Sequence, residues 1–229
     1  MVQKTPSVVS LDPIDRQKRT GIIGRFFMTR RFGGKAPNKS KPFGHYLFCG
    51  KQRQGKTVSA VWYVERLTTQ YSKKGYKVVI FSNMGIGMPV KRSNLLQVLN
   101  SIEYKNDTIY IFLLDEIQAW YPKDTKDKAL LQQIDALTGE FSQLGKRNIF
   151  VISTAQIYGR VNKNLREQCL FMIDCRLSKL TGKCINEFIP SDDIMCDELG
   201  RWSGNPVKIY VHGLAKNLTF DTHKRVMLD

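Results

Sequence analysis

Acidic residues are scarce in this 229-residue chain: 20 Asp and Glu stand against 36 Lys and Arg, a formal net charge of +16. That imbalance argues against a cationic partner and points to a polyanion, either nucleic acid or an anionic membrane surface. Cysteine is sparse too. Cys49, Cys169, Cys175, Cys184 and Cys196 are odd in number and contain no C-x-x-C pair. That excludes zinc-ligand spacing and argues against a secreted disulfide framework, so they read as reduced thiols of a cytosolic protein. Long hydrophobic runs are missing as well. The longest, Ile109 to Leu114, is strand-sized, far short of the roughly 18 apolar residues of a membrane-spanning helix. The N-terminus lacks the apolar core of a signal peptide. A soluble protein without a transmembrane segment is expected.

What is present is ordinary globular material, 42% apolar and 24% charged, enough for one α/β domain. Residues 1–41 differ from the rest. They carry ten Lys and Arg against Asp12 and Asp15, a surplus of eight, and the breakers Gly33, Gly34 and Pro37. They read as a largely flexible basic arm ahead of a domain over 42–229. Within the arm, Gly21–Met28 is apolar enough to dock on the core or a neighbouring subunit, or to touch a membrane surface.

From His45 onward short apolar runs alternate with helical stretches. Strands are expected at 45–49, 77–81, 108–114, 148–153 and 170–175. Helices are expected at 57–71, with Val58, Val61, Trp62 and Leu67 on one face, at 94–99, and as one long segment at 126–144. Such alternation predicts a mainly parallel central sheet flanked by helices on both faces. Val207–Val211 and Leu218–Phe220 read as a small C-terminal antiparallel addition.

Gly50-Lys51-Gln52-Arg53-Gln54-Gly55-Lys56-Thr57 is a complete phosphate-binding loop between a strand and a helix. The glycines let backbone N–H groups wrap a phosphate, and the helix N-terminus adds its positive end there. Lys56 supplies a cation for the β- and γ-phosphates and the Thr57 hydroxyl a Mg²⁺ ligand. Hydrolysis also needs an acid for the metal and a base for water. Tyr110-Ile-Phe-Leu-Leu-Asp115-Glu116 offers both at a strand's carboxyl end, where ligands of open α/β sheets bind. Asp115 is the expected Mg²⁺ residue and Glu116 the expected base. The pairing favours an ATP hydrolase, and the guanine-reading N-K-x-D signature is absent. Ile149–Gln156 is a second buried run with a polar end. If it lies beside the Asp115 strand, Gln156 reaches the γ-phosphate. Arg147, in Gly145-Lys146-Arg147, is either favourable charge at a helix C-terminus or an arginine finger for a neighbour's ATP, ahead of Arg160 and Arg166.

Gly50–Thr57, Leu113-Leu-Asp-Glu-Ile-Gln-Ala-Trp-Tyr-Pro122 and Leu144-Gly-Lys-Arg-Asn-Ile-Phe-Val-Ile-Ser-Thr-Ala-Gln156 together resemble the FtsK–HerA superfamily, above all its viral genome-packaging ATPases. Zonular-occludens-toxin-like phage proteins are close relatives, and Phe220-Asp-Thr-His223 resembles a short motif near the C-terminus of the packaging enzymes. The resemblance spans roughly 44–223. It implies a RecA-like P-loop NTPase core and a homo-oligomeric ring of about five or six subunits. It also implies ATP- and Mg²⁺-dependent translocation of double-stranded DNA into a preformed capsid, with a portal or vertex protein as a further partner. By position, Lys56, Thr57, Asp115, Glu116 and Gln156 match the superfamily's ATPase motifs. Host cytoplasm or a virion vertex is the implied location. The rival expectations are a helicase-like or conjugative DNA-pumping ATPase, and a membrane-associated phage assembly ATPase.

The basic surplus agrees with a DNA pump, which needs phosphate contacts rather than base readout. Lys91, Arg92, Lys123, Lys126 and Lys128 are candidates, though each taken singly reads first as solvated surface charge. Trp120-Tyr121 reads as packing.

Overall fold

The computed structural model describes residues 42–198 and 201–213. The arm expected at 1–41, the strand expected at Leu218–Phe220 and the Phe220–His223 motif lie outside them. Strands form where the sequence is continuously apolar. β1 (Gly44–Cys49), β4 (Thr108–Leu114) and β5 (Ile149–Ala155) are buried along their whole length, which requires cover on both faces. Side chains alternate between the two layers. Ile109, Ile111 and Leu113 of β4 join Ala60, Val64, Leu67 and Tyr71 of α1 (Lys56–Ser72). Phe112 and Leu114 instead join Leu95 and Leu99 of α2 (Arg92–Ser101), and Ile134, Leu137 and Phe141 of a later helix.

The main sheet also contains β2 (Lys77–Ser82), the two-residue β3 (Met88–Pro89) and β6 (Cys169–Leu177). Its far edge is completed by β7 (Cys184–Pro190) and, after a small β8–β9 ribbon (Met195–Cys196 and Trp202–Ser203), by β10 (Lys208–His212). The strand order is β10-β7-β6-β1-β5-β4-β2-β3. The six strands from β6 to β3 are parallel, while β7 and β10 add on antiparallel. The expected class is therefore present: a parallel sheet between helices with a C-terminal antiparallel addition.

Several local expectations change. The face of α1 turned to the core is Ala60, Val61, Val64 and Leu67, whereas Val58 and Trp62 are only half-buried. Trp62 stacks on His212 at 4.1 Å, under the added edge strand. A short α3 (Ile117–Trp120), not expected, follows the two acids. The helix expected at 126–144 is shorter, with α4 covering Lys128–Phe141. Asp127 caps α4 by accepting from the N–H of Ala129 at 2.9 Å, as an N-cap acid does. A 3-10 turn, Leu144–Arg147, then leads to left-handed Asn148, φ 56°, and this reversal ends the helix before β5. Strand β7 was not expected. Its inward positions include Asn186, fully buried and bonded to His212 Nε2 at 2.8 Å, so a polar residue interrupts the apolar alternation that marks a strand. Trp120 and Tyr121 are both buried packing residues.

Candidate active site

Because β1, β4, β5 and β6 run parallel, their carboxyl ends share one edge, where the phosphate loop lies. Two of the loop's glycines are required by their surroundings. A Cβ on Gly50 would stand 2.7 Å from the Cys175 carbonyl oxygen, and one on Gly55 would stand 2.6 Å from Cys184 Sγ; Gly55 is also left-handed, φ 76°. Gly55 immediately precedes α1, so the helix's first free N–H groups open into the loop. Gln52 is exposed in the same turn and Arg53 takes a left-handed conformation, φ 62°. Lys56 is only 8% exposed. Its ammonium donates to the Lys51 carbonyl at 3.2 Å, and among the described residues no carboxylate lies within ion-pair distance of it. A buried cation without a counter-charge is costly and suits a site whose anion is the ligand.

The acid strand is joined to this loop through hydroxyl groups. Thr57 Oγ1 donates to Asp115 Oδ1 at 3.0 Å, and Thr154 Oγ1, from the polar end of β5, donates to the same oxygen at 2.6 Å. Thr154 Oγ1 also accepts from the Glu116 N–H at 2.9 Å. Asn83, just past β2, clamps Asp115 from the other side. Its Oδ1 accepts from the Asp115 N–H at 2.8 Å and its Nδ2 donates to the Asp115 carbonyl at 3.0 Å. Burial pushes the Asp115 carboxyl above the usual carboxylate range, against the hydrogen bonds from Thr154 and Thr57 that favour its ionised form.

Glu116 is left-handed, φ 55°, a conformation that costs a non-glycine residue roughly 1–2 kcal/mol. It turns the chain sharply after β4 and leaves the carboxylate between two amides. Gln118 Nε2 donates to Oε2 at 3.1 Å and Gln156 Nε2 to Oε1 at 3.4 Å. The condition placed on Gln156 holds: β5 pairs with β4, and its amide meets the expected base. The structure thus brings Lys56, Thr57, Asp115, Glu116 and Gln156 together at one edge.

It does not bring Arg147 there. That residue precedes β5 at the sheet's opposite edge, where Nη1 donates to the Leu99 carbonyl at 2.8 Å and Nη2 pairs with Glu140. The guanidinium ties α4 and α2 to the start of β5, so within its own chain it serves as a strut. Arg166 is nearly buried, lying over the rings of Tyr158 and Trp202. Arg160 is exposed beyond the end of β5.

Asn83, Gln118 and Thr154 escaped the sequence reading as site residues. Thr154 lay inside the polar strand end already noted. Asn83 could be found only by knowing that β2 lies against β4, with Ser82 opposite Leu113.

The donor set fits Mg²⁺ bound with a nucleotide. The Thr57 and Asp115 oxygens are close enough to serve one small ion, and Mg²⁺ takes one or two protein oxygens and fills its remaining positions with phosphate and water.

A family model described as "ATPase family associated with various cellular activities (AAA)" matches residues 46–177, more than half of the chain. No curated protein matches the sequence. Among solved structures, the N-terminal domain of zonular occludens toxin from Neisseria meningitidis is similar at 15% identity and a TM-score of 0.50, over 76% of this chain and 95% of that one. The pCW3 conjugation coupling protein TcpA matches at 12% identity and a TM-score of 0.49, over 74% and 60%. The genome packaging NTPase B204 from Sulfolobus turreted icosahedral virus 2 matches at 9% and 0.45, over 76% and 99%. At these identities the likeness is one of fold. The family match and the loop, acids and sheet edge that it spans make this chain a member of the AAA family of P-loop ATPases.

Proposed function

We propose that this ATPase hydrolyses ATP with Mg²⁺ and uses the energy to move double-stranded DNA, as the packaging motor of a viral genome. The observation that carries the hydrolytic part is the link between two strand ends: Thr154 holds both Asp115 and the Glu116 backbone, while Gln156 holds the Glu116 carboxylate.

In this reading the phosphate loop and Lys56 take the triphosphate. Thr57 and Asp115 hold Mg²⁺, whose charge offsets that of the phosphate oxygens. Glu116 accepts a proton from the attacking water on Oε1, the oxygen that Gln156 faces. Removal of the γ-phosphate then changes what the Gln156 amide can bond, giving β5 a means of reporting hydrolysis.

Support for DNA comes from the net charge of +16 and from exposed Lys91, after β3, and exposed Lys123, Lys126 and Lys128, between α3 and the start of α4. The resemblance in three motifs supports a ring and a capsid partner. Mg²⁺-dependent ATP hydrolysis, measured with and without double-stranded DNA at low and moderate salt, tests the reading. Stimulation by DNA that weakens steeply with salt is expected. Hydrolysis indifferent to DNA, in a protein that binds anionic vesicles through residues 1–41, would overturn it.

A further inference from the structure

Three contacts tie the phosphate loop to one hairpin. Gln54, in the middle of the loop, accepts through Oε1 from the Leu177 N–H at 2.9 Å. The Cys175 carbonyl abuts Gly50, and Cys184 Sγ abuts Gly55, each too closely for a side chain to intervene. Leu177 ends β6 and Cys184 begins β7, so both roots of the hairpin rest on the nucleotide loop. Its tip, residues 178–183, leaves the sheet from the same edge.

The tip is ordered by its own bonds. Ser178 N–H donates to the Lys183 carbonyl and Gly182 N–H to the Ser178 carbonyl, both at 2.9 Å. This order holds Leu180 98% exposed, with exposed Lys179 and Lys183 beside it. The hairpin's acids are already engaged: Arg176 bonds Asp174 at 3.0 Å and Glu187 at 2.7 Å. Among the described residues, neither Lys179 nor Lys183 has an acid within ion-pair distance. The tip therefore presents two uncompensated cations on a rigid projection.

We propose that this tip grips the DNA backbone and that the phosphate loop controls its position. The inference rests on the ATP-driven DNA reading above and assigns its contact. Lys179 and Lys183 bind phosphates, Leu180 packs against the sugar edge, and the Gln54–Leu177 bond transmits nucleotide-dependent shifts of the loop to the hairpin. A polyanion complements the tip's charge and that of the whole chain. Lipid fits less well, because burial of one leucine is too little for a stable membrane anchor.

The test uses the full chain and a fluorescent double-stranded DNA, measuring affinity across a salt series together with ATP hydrolysis. K179E/K183E is expected to reduce the slope of log affinity against log salt by about two. It is also expected to abolish stimulation by DNA while hydrolysis without DNA is unchanged. K179Q/K183Q, a milder change that spares the fold, should give the same direction. Q54A is expected to bind DNA but to lose the dependence of that affinity on nucleotide. A parent protein that does not bind DNA overturns both this inference and the proposed function. A parent that binds DNA, with lysine variants that bind it equally well, overturns the hairpin alone. Anionic vesicle binding that the lysine variants lose, with DNA binding intact, assigns the tip to lipid and overturns it too.

Discussion

The Thr57 hydroxyl lies 3.0 Å from a carboxylate oxygen of Asp115, a residue 58 positions later in the chain and just past the end of β4, a strand not adjacent to β1. Strand β5 sits between β1 and β4, and it contributes Thr154 to the same oxygen. The pair proposed to hold Mg²⁺ is thus assembled where three strands end.

Asp115→Asn tests the strain stored in that assembly. Burial raises the carboxyl above its ordinary value of 3.8, so between the two values the folded state holds a proton that the unfolded chain has released. The group's contribution to stability therefore declines as pH rises through that window. In its ionised form the carboxylate is a buried charge suited to Mg²⁺. The variant's ligand-free Tm should equal or exceed the parent's, while the Tm increase caused by Mg²⁺ and ATP together should vanish. Thermal melts with and without each ligand measure both effects.

Asn83→Ala removes the clamp on both backbone groups of Asp115. Leaving a buried N–H and carbonyl without partners should cost roughly 2–4 kcal/mol, read from denaturant unfolding. Mg²⁺-dependent nucleotide affinity should fall in the same variant.

His45 predicts an acid limit to stability. It is fully buried beside Ser153 Oγ at 2.6 Å and Cys169 Sγ at 3.1 Å, and burial lowers its pKa from 6.5 to about 3. The unfolded chain takes up a proton below about 6.5 that the folded chain refuses. Stability from this group is complete above pH 6.5 and declines as pH falls toward 3, by at most about 1.4 kcal/mol per pH unit. Unfolding of the parent and of His45→Phe between pH 7 and 4 should show a shallower slope for the variant, whatever its absolute stability.

Arg147→Ala should lower stability by about 1–3 kcal/mol, because the guanidinium bridges Glu140 and the Leu99 carbonyl. At a temperature where the variant is folded, ATP turnover per subunit should remain within about tenfold of the parent. An arginine finger would instead cost 10³-fold or more.

Lys56, Thr57, Asp115, Glu116 and Gln156 were legible because they sit in three contiguous motifs, each following an apolar run. The bounds of β4 were legible to the residue, since Thr108–Leu114 is unbroken and Asp115 stops it. What lay outside sequence reach depends on contacts between distant segments. Asn83 matters only because β2 lies against β4, and Gln54 has a second role only because β6 turns back at Leu177. Strand β7 was hidden by Asn186, whose buried amide is bonded to His212 on the neighbouring strand. The place of Arg147 in its own chain was out of reach for a related reason: its neighbours in sequence say nothing of Glu140 and Leu99, which engage its side chain.

The central claim is that Glu116 activates water in a site where Lys56, Thr57 and Asp115 hold Mg²⁺ and ATP. Parallel measurement of ATP affinity and turnover for the parent and Glu116→Gln tests it most directly. Unchanged affinity with turnover reduced by about 10²-fold or more is the predicted result. Turnover equal to the parent's at equal affinity would contradict it.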